Sequence, residues 1–438
     1  MSLPVLVDYQ EPLVMLPEET QNYNVCQTPV NGSTFAPSSQ ILVNLGNRGF
    51  LDPASLVMRY TITYTGTGGT TALLCGTPAY SAFLRVDTIC SSQVIETINS
   101  FNTVANMWCN LQMGVSEKLG QQYNLGYLGN ANGTNDISNE NTDGTGIVFA
   151  TGVTTVSVPL SAPILGLLGN CEKLVPLFLL NNTSLAFTLD TAANITSAIS
   201  GQEKISNFSI SNFEVCYNMI DFGGAVEREV IAMNPKLRIK SSSYATSIAP
   251  QLAAGVSGSQ TLSFNLRYAS VKSCFMNFGG VTSGGTGGSA NQSFDSFDIT
   301  GSGGGDYQFS VNGVNFPQKA LSTKNNKAGC LMELRRAMGS IFGKNVSVSI
   351  SAKEYGGYTT AGPTTVFIPS KFWVGVNLSK LTIDQKAFFT GISTQLSPIQ
   401  INVNIGTATS YAINPMLIVY YDSIIEIDTG SKQILMVQ

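Results

Sequence analysis

The chain has 438 residues, of which 11% are charged, with a formal net charge of −4 and no histidine. One ordinary core does not organise a chain of that length, so two to three domains are expected. The basic residues are scattered and form no Lys/Arg-rich arm at either end, which excludes the electrostatic footprint of direct nucleic-acid binding.

The charged share is less than half of the usual ~25%. Polarity comes from Asn, Ser, Thr, Gln and 43 glycines instead, and a soluble chain of this kind is expected to hide much of its surface in an assembly. The N-terminus, MSLPVLVDYQEPLVMLPEE, has acids and prolines where a secretory signal needs a basic start and an unbroken apolar run. No apolar run approaches the ~18 residues of a membrane span. Synthesis in the cytosol without secretion is the expectation.

Residues 1–38 carry five prolines, Pro4, Pro12, Pro17, Pro29 and Pro37. Proline removes ladder donors and keeps a segment extended, so this stretch reads as an arm laid over a neighbouring subunit or the underside of its own. Strand signals begin at Gln40, with ILVNLG and then SLVMRYTITYTG, where Leu56, Met58, Tyr60 and Ile62 alternate with polar neighbours. Phe83–Ile98 reads as two strands around a turn at Ser91–Ser92. After it, Ile98, Phe101, Ala105, Trp108 and Leu111 recur at three and four residues, one apolar face of a short helix that would lid a sheet end. Gly114–Gly146 has little apolar pattern and reads as a long loop. Strands resume at Val153–Leu160, at Leu174–Leu189 in two pieces broken by Asn181–Asn182, and at Phe208–Ile220, which completes a first sandwich over 39–221.

The stretch 222–235, with a glycine pair, a small charge cluster and Pro235, is the expected linker. The second unit, 236–428, opens with KLRIKSSSYAT and the long alternating TLSFNLRYASVKSCFMNF. Gly279–Gly305 contains ten glycines and cannot pack a core. An Asn-Gly turn follows at Asn312–Gly313, then an amphipathic helix near Lys327–Phe342 built on Leu331, Leu334, Met338 and Ile341. Strands are expected at Val346–Ile350, Phe372–Leu378, Ile399–Ile405 and Met416–Ile427, with a tail over 429–438 and no room for a third domain.

Three pairs of segments repeat in the same order. Val156–Ser161 (VSVPLS) matches Val374–Ser379 (VGVNLS), Leu185–Leu189 (LAFTL) resembles Ile399–Val403 (IQINV), and Cys216–Ile220 (CYNMI) resembles Tyr420–Ile424 (YYDSI). The offsets run from about 204 to 218 residues, which indicates a tandem of two related β domains.

The missing histidine excludes Ser-His-Asp, Cys-His and His-containing zinc sites together. The eight cysteines, Cys26, Cys75, Cys90, Cys109, Cys171, Cys216, Cys274 and Cys330, are widely spaced, without C-x-x-C, and offer no four-cysteine zinc spacing. Several sit in apolar runs, as Cys216 does in FEVCYNMI, so buried free thiols are expected rather than disulfides, which cytosolic synthesis disfavours. Gly339 to Asn345 (GSIFGKN) imitates a phosphate-binding loop, but has three residues between its glycines and Asn345 where Ser or Thr would ligate magnesium. A helix end is the plainer reading. The carboxylates Asp295 and Asp298, or Asp422 and Glu426, have nothing to fix them across a cleft. Asp295, Asp298 and Asp306, in or beside the Gly-rich loop, leave a weak calcium site open. Sequons at Asn31, Asn132 and Asn377 read as chance in an Asn-rich chain. No catalytic, cofactor-binding or metal-ligating residues are assigned, and no enzyme is expected.

Four groups of passages carry a resemblance. They are Phe83–Trp108 (FLRVDTICSSQVIETINSFNTVANMW); Val271–Phe278, Tyr307–Pro317 and Met332–Gly339; FWVGVNLSKL with the later GISTQLSPIQ; and MLIVYYDSIIEID near the end. In that order they resemble the double jelly-roll major capsid proteins of double-stranded DNA viruses, in particular those of virophages and polinton-like viruses. The likeness covers most of Gln40–Asp428, and leaves the N-terminal arm and the glycine-rich loop without a counterpart. It implies an all-β chain of two tandem eight-stranded jelly rolls with a few short helices. It also implies a homotrimer of pseudo-hexagonal outline, tiling an icosahedral shell with penton and minor capsid proteins, commonly over an internal membrane. The alternative class is a tandem β-sandwich lectin or adhesin that binds glycans through its long loops, with a glycosidase a distant third.

Overall fold

The computed structural model describes residues 19–437 other than 68–70, 74–77, 113–123, 125–147, 151–152, 161–163, 172, 181, 196–203, 282–304, 324, 343–354, 356–357, 361–365, 369–371, 381–388 and 407–411. The expected loops at Gly114–Gly146 and Gly279–Gly305 lie almost entirely outside the described residues, as do the strand expected at Val346–Ile350 and the pair Asp295 and Asp298.

Among the described residues sixteen principal strands build two barrels, and the short strands Thr34–Phe35, Phe50–Leu51, Val175–Pro176 and Ile434–Val437 extend their sheets. The first uses β1 (Gln21–Gln27), β2 (Gln40–Asn44), β3 (Val57–Thr67), β4 (Phe83–Cys90), β5 (Gln93–Asn99), β6 (Val153–Pro159), β7 (Ser184–Leu189) and β8 (Lys204–Asp221), with helix α1 (Phe101–Gln112) between β5 and β6. The second uses β9 (Lys236–Ile248), β10 (Gly258–Phe264), β11 (Val271–Val281), β12 (Asp306–Val311), β13 (Val314–Ser322), β14 (Val374–Asn377), β15 (Ile399–Ile405) and β16 (Ala412–Asp428). Helix α3 (Lys327–Phe342) lies between β13 and β14, and α2 (Gly224–Met233) joins the barrels.

The strand orders coincide. In the first barrel one sheet runs β6-β3-β8-β1 and the other β2-β7-β4-β5; in the second they run β14-β11-β16-β9 and β10-β15-β12-β13. Each strand of the first barrel therefore has its counterpart eight strands later. This order, four antiparallel strands facing four, is that of a jelly roll. The three repeated segments fall on equivalent strands, β6 with β14, β7 with β15 and β8 with β16. The turns Ser91–Ser92 and Asn312–Gly313 join equivalent hairpins, and both residues of each have positive φ, as a two-residue hairpin turn demands.

Where one face of a sheet is buried, burial alternates with the side-chain period of two, as in β12 (Tyr307, Phe309, Val311) and β15 (Ile399, Ile401, Val403, Ile405). The alternation stops in β9, where Ser241–Ala245 are all buried, and in the middle of β16. Both faces of that sheet are covered there.

Four expectations change. Of the expected arm, residues 1–18 lie outside the described residues and the rest is sheet: β1 pairs along β8 from Gln21↔Asp221 to Gln27↔Val215, and Thr34–Phe35 pairs with Ser211 and Ile210. Pro29 follows β1 instead of suppressing it. The linker contains a ten-residue helix with no buried residue, and the tail folds back as a strand, Ile434–Val437, against Ile424–Ile427. Helix α1 is no one-faced lid, because Asn102, Thr103 and Asn106 are buried along with its apolar residues. Asn102 donates to Asp190 of its own barrel, and Trp108 reaches Tyr244 of the other. By contrast α3 is one-faced, with Cys330, Leu334, Ala337 and Met338 buried. It approaches β14 closely at Gly375, where an added Cβ would lie 3.0 Å from Leu334 and 3.1 Å from Ala337 and Phe275.

Candidate functional site: the seam between the barrels

The contact between the barrels is a buried polar seam set in apolar packing. From the first barrel come β5, α1 and the turn-rich stretch 164–170; from the second come β9 and β16. Glu96 on β5 is buried and its carboxylate accepts from Thr88 Oγ1 at 3.1 Å, from the Leu167 N–H at 2.8 Å and from Ser243 Oγ of the other barrel. Burial pushes its pKa up to about 7 against the pull of those hydrogen bonds. Gly166 makes room for this carboxylate, since a Cβ there would lie 1.9 Å from Oε1. Ser241 Oγ donates to the Leu167 carbonyl at 2.6 Å, Asn170 Nδ2 to the Ser242 carbonyl at 3.1 Å, and Thr246 Oγ1 to the Asn99 carbonyl at 3.1 Å. Trp108 of α1 donates to the Tyr244 hydroxyl at 3.0 Å, and the Tyr244 ring packs on Tyr420 at 5.1 Å. Such groups resist separation, because parting them would strand buried polar atoms.

The sequence singled out Asp422 and Glu426 as carboxylates without a fixed cleft, and the structure gives each its own partners. Asp422 is buried, pairs with Lys272 at 3.0 Å and accepts from Ser270 Oγ and the Thr390 N–H. Glu426 takes Lys236 at 3.2 Å and Arg238 at 2.8 Å on the surface, which lowers its pKa. Asp306 opens β12, and α3 continues through Gly339 to Phe342; Gly343–Asn345 lie outside the described residues. Asn31 and Asn377 are tied into local hydrogen bonds, Asn31 with the Gln40 carbonyl and the Leu42 N–H, and Asn377 with the Ser379 N–H.

The cysteines depart from expectation. Cys90, Cys109, Cys274 and Cys330 are buried thiols outside any disulfide, but Cys26 and Cys216 form a disulfide across β1 and β8. They face each other directly in the ladder with Cα atoms 4.0 Å apart. Reading Cys216 as a core thiol missed this, because its partner lay in a stretch taken for an arm. Glu214 lies beside them, its carboxylate and both sulfurs within 4.8 Å of one another. Among the described residues this is the one group of three potential metal-ligating side chains so placed, and its two sulfurs are already bonded to each other.

No family model and no curated protein matches this chain. Solved structures do. PBCV-1 VP54, fitted into a reconstruction of the virophage Sputnik, aligns at a TM-score of 0.61 with 12% identity, over 98% of this chain and 99% of the other. The Faustovirus major capsid protein gives 0.59 and 9% identity over 97% and 92%, and the mavirus major capsid protein 0.52 and 10% over 100% and 95%. At these identities the likeness is one of fold, and it runs the length of the chain. Two jelly rolls of identical strand order, each with a helix inserted at the same place, give this chain the double jelly-roll fold of the virophage, PBCV-1, Faustovirus and mavirus major capsid proteins.

Proposed function

We propose that the protein is a structural major capsid protein, acting in the virion of a double-stranded DNA virus without enzymatic activity. Three copies assemble into a capsomer of pseudo-hexagonal outline, and capsomers tile an icosahedral shell. The observation that carries this reading is the seam. Two barrels of one plan are joined by buried hydrogen bonds into one unit, so a ring of three chains presents six barrels. The low charge, 11% of residues with a net −4, limits repulsion between hundreds of copies and supports the same reading. Cohesion between subunits comes from many weak contacts made strong by closed symmetry. Neighbouring capsomers, penton and minor capsid proteins, and an internal membrane beneath the shell, are the partners this role implies.

Light scattering of the purified protein at physiological salt tests it. The expected result is a species of three chains that resists dilution and shows a pseudo-hexagonal outline in electron microscopy. A clean monomer that binds immobilised glycans would overturn the capsomer in favour of the lectin.

A further inference from the structure

The two barrels differ at one equivalent pair of positions. In the second barrel β9 and β16 place Tyr244 opposite Tyr420, both buried and packed ring on ring. The repeat sets Cys216 in register with Tyr420, and in the first barrel the partner opposite Cys216 is Cys26. A disulfide thus stands where the other barrel has an aromatic pair.

The strands that carry these pairs differ in the same sense. β9 is buried along Ser241–Ala245. β1 has no fully buried residue, five of its seven positions are exposed, Tyr23 is 44% exposed, and only Val25 packs against the core. Side-chain support elsewhere comes from Asn24 Nδ2, which donates to Asn218 Oδ1 at 3.2 Å, and from Gln27, whose side chain hydrogen-bonds Tyr217. An edge strand with so little burial opens at small cost. The covalent bond sits on the strand that packing holds least.

We infer that Cys26 and Cys216 form a redox latch, closed by a low-molecular-weight disulfide such as glutathione disulfide, that fixes β1 to its own barrel. Cys26 is exposed and Cys216 is 2% exposed, which sets the order of events. The Cys26 thiolate attacks one sulfur of glutathione disulfide and expels a glutathione thiolate. The Cys216 thiolate then attacks Cys26 Sγ in the mixed disulfide and expels the second. Two protons and two electrons leave the pair, and two glutathione molecules are formed. In a reducing compartment the latch is open and β1 can leave β8; in an oxidising one it shuts. Only the benefit to a shell rests on the capsid reading, a β1 free during assembly and fastened afterwards; the latch itself is a property of the isolated protein.

The test is deuterium exchange of the full-length protein across a series of glutathione ratios. Amides of residues 21–27 should exchange about tenfold faster or more when the pair is reduced, while β7 and β15 stay unchanged. Cys26→Ser should show the fast exchange at every ratio, and Cys171→Ser, at a partly buried thiol outside the disulfide, should respond like the wild type. Equal exchange of β1 in both redox states of the wild type would overturn the latch, and that comparison needs no variant to fold. So would a disulfide joining two chains on a non-reducing gel, or one zinc per reduced chain with β1 still protected. The last result would mark Cys26, Glu214 and Cys216 as ligands instead. Light scattering on the same samples separates the two readings, because a monomer that still latches removes the capsomer and leaves the latch standing.

Discussion

The indole N–H of Trp108 donates across the seam to the hydroxyl of Tyr244 at 3.0 Å, with the two ring planes nearly perpendicular at 84°. Both side chains are essentially fully buried, so neither polar atom has water to fall back on. Trp108→Phe and Tyr244→Phe should each lower stability by about 1–3 kcal/mol, the cost of a stranded buried group. The double variant should lose clearly less than the sum. Urea midpoints of the four proteins measure it, and strict additivity would mean that the bond contributes nothing.

Glu96 gives the seam a pH dependence. Its folded pKa of about 7 lies above the ordinary 4.5, so the folded chain holds this proton more tightly than the unfolded one. Its contribution is fully present below pH ~4.5 and is lost as the pH rises through ~7, a loss of about 3 kcal/mol at most. Glu96→Gln keeps the shape and stays neutral. Relative to that variant, the wild type should weaken between pH 4.5 and 8 in denaturant titrations. Parallel curves would show that the carboxyl is not buried as described.

Two glycines predict opposite signs. An alanine Cβ at Gly375 meets Leu334, Ala337 and Phe275 at 3.0–3.1 Å, so Gly375→Ala should push α3 off β14 and cost about 1–3 kcal/mol. At Gly339, inside α3, nothing lies within 4 Å of the added carbon, and Gly339→Ala should gain about 0.5–1 kcal/mol. Thermal melts compare them directly.

Truncation separates arm from barrel. Removing residues 1–18 should leave a folded chain with impaired shell yield, whereas removing 1–38 also takes β1 and the buried Phe35 that pairs with Ile210 and should destabilise the first barrel. Negative-stain images and circular dichroism of the two truncations decide. Normal shells from the shorter one would remove any role of the arm in assembly.

Much of this was legible because burial on one face writes a period of two into a strand. β15 matches its expected span of Ile399–Ile405, and α3 matches Lys327–Phe342. The repeat was readable for the same reason. What stayed hidden is what a second body contributes. Trp108 read as one more apolar residue of α1 because a helix pattern does not record the Tyr244 hydroxyl of another barrel, and β1 looked like tail because an exposed edge strand needs no apolar alternation. One signal at the seam was present in the sequence: Glu96 falls in the same strand phase as the buried Ile98, an odd place for a charge.

The seam also makes the chain directional. It joins the β5 and α1 side of one barrel to the β9 side of the next, so one chain ends with an unused copy of each half: β1 at one end, β13 and α3 at the other. That is a head-to-tail, heterologous contact. Repeated between chains with the same rotation, such a contact either closes into a ring or runs on as a filament. Were chains to repeat that contact, the angle at which β9 meets β5 inside a single molecule would select between a closed particle and an open fibre.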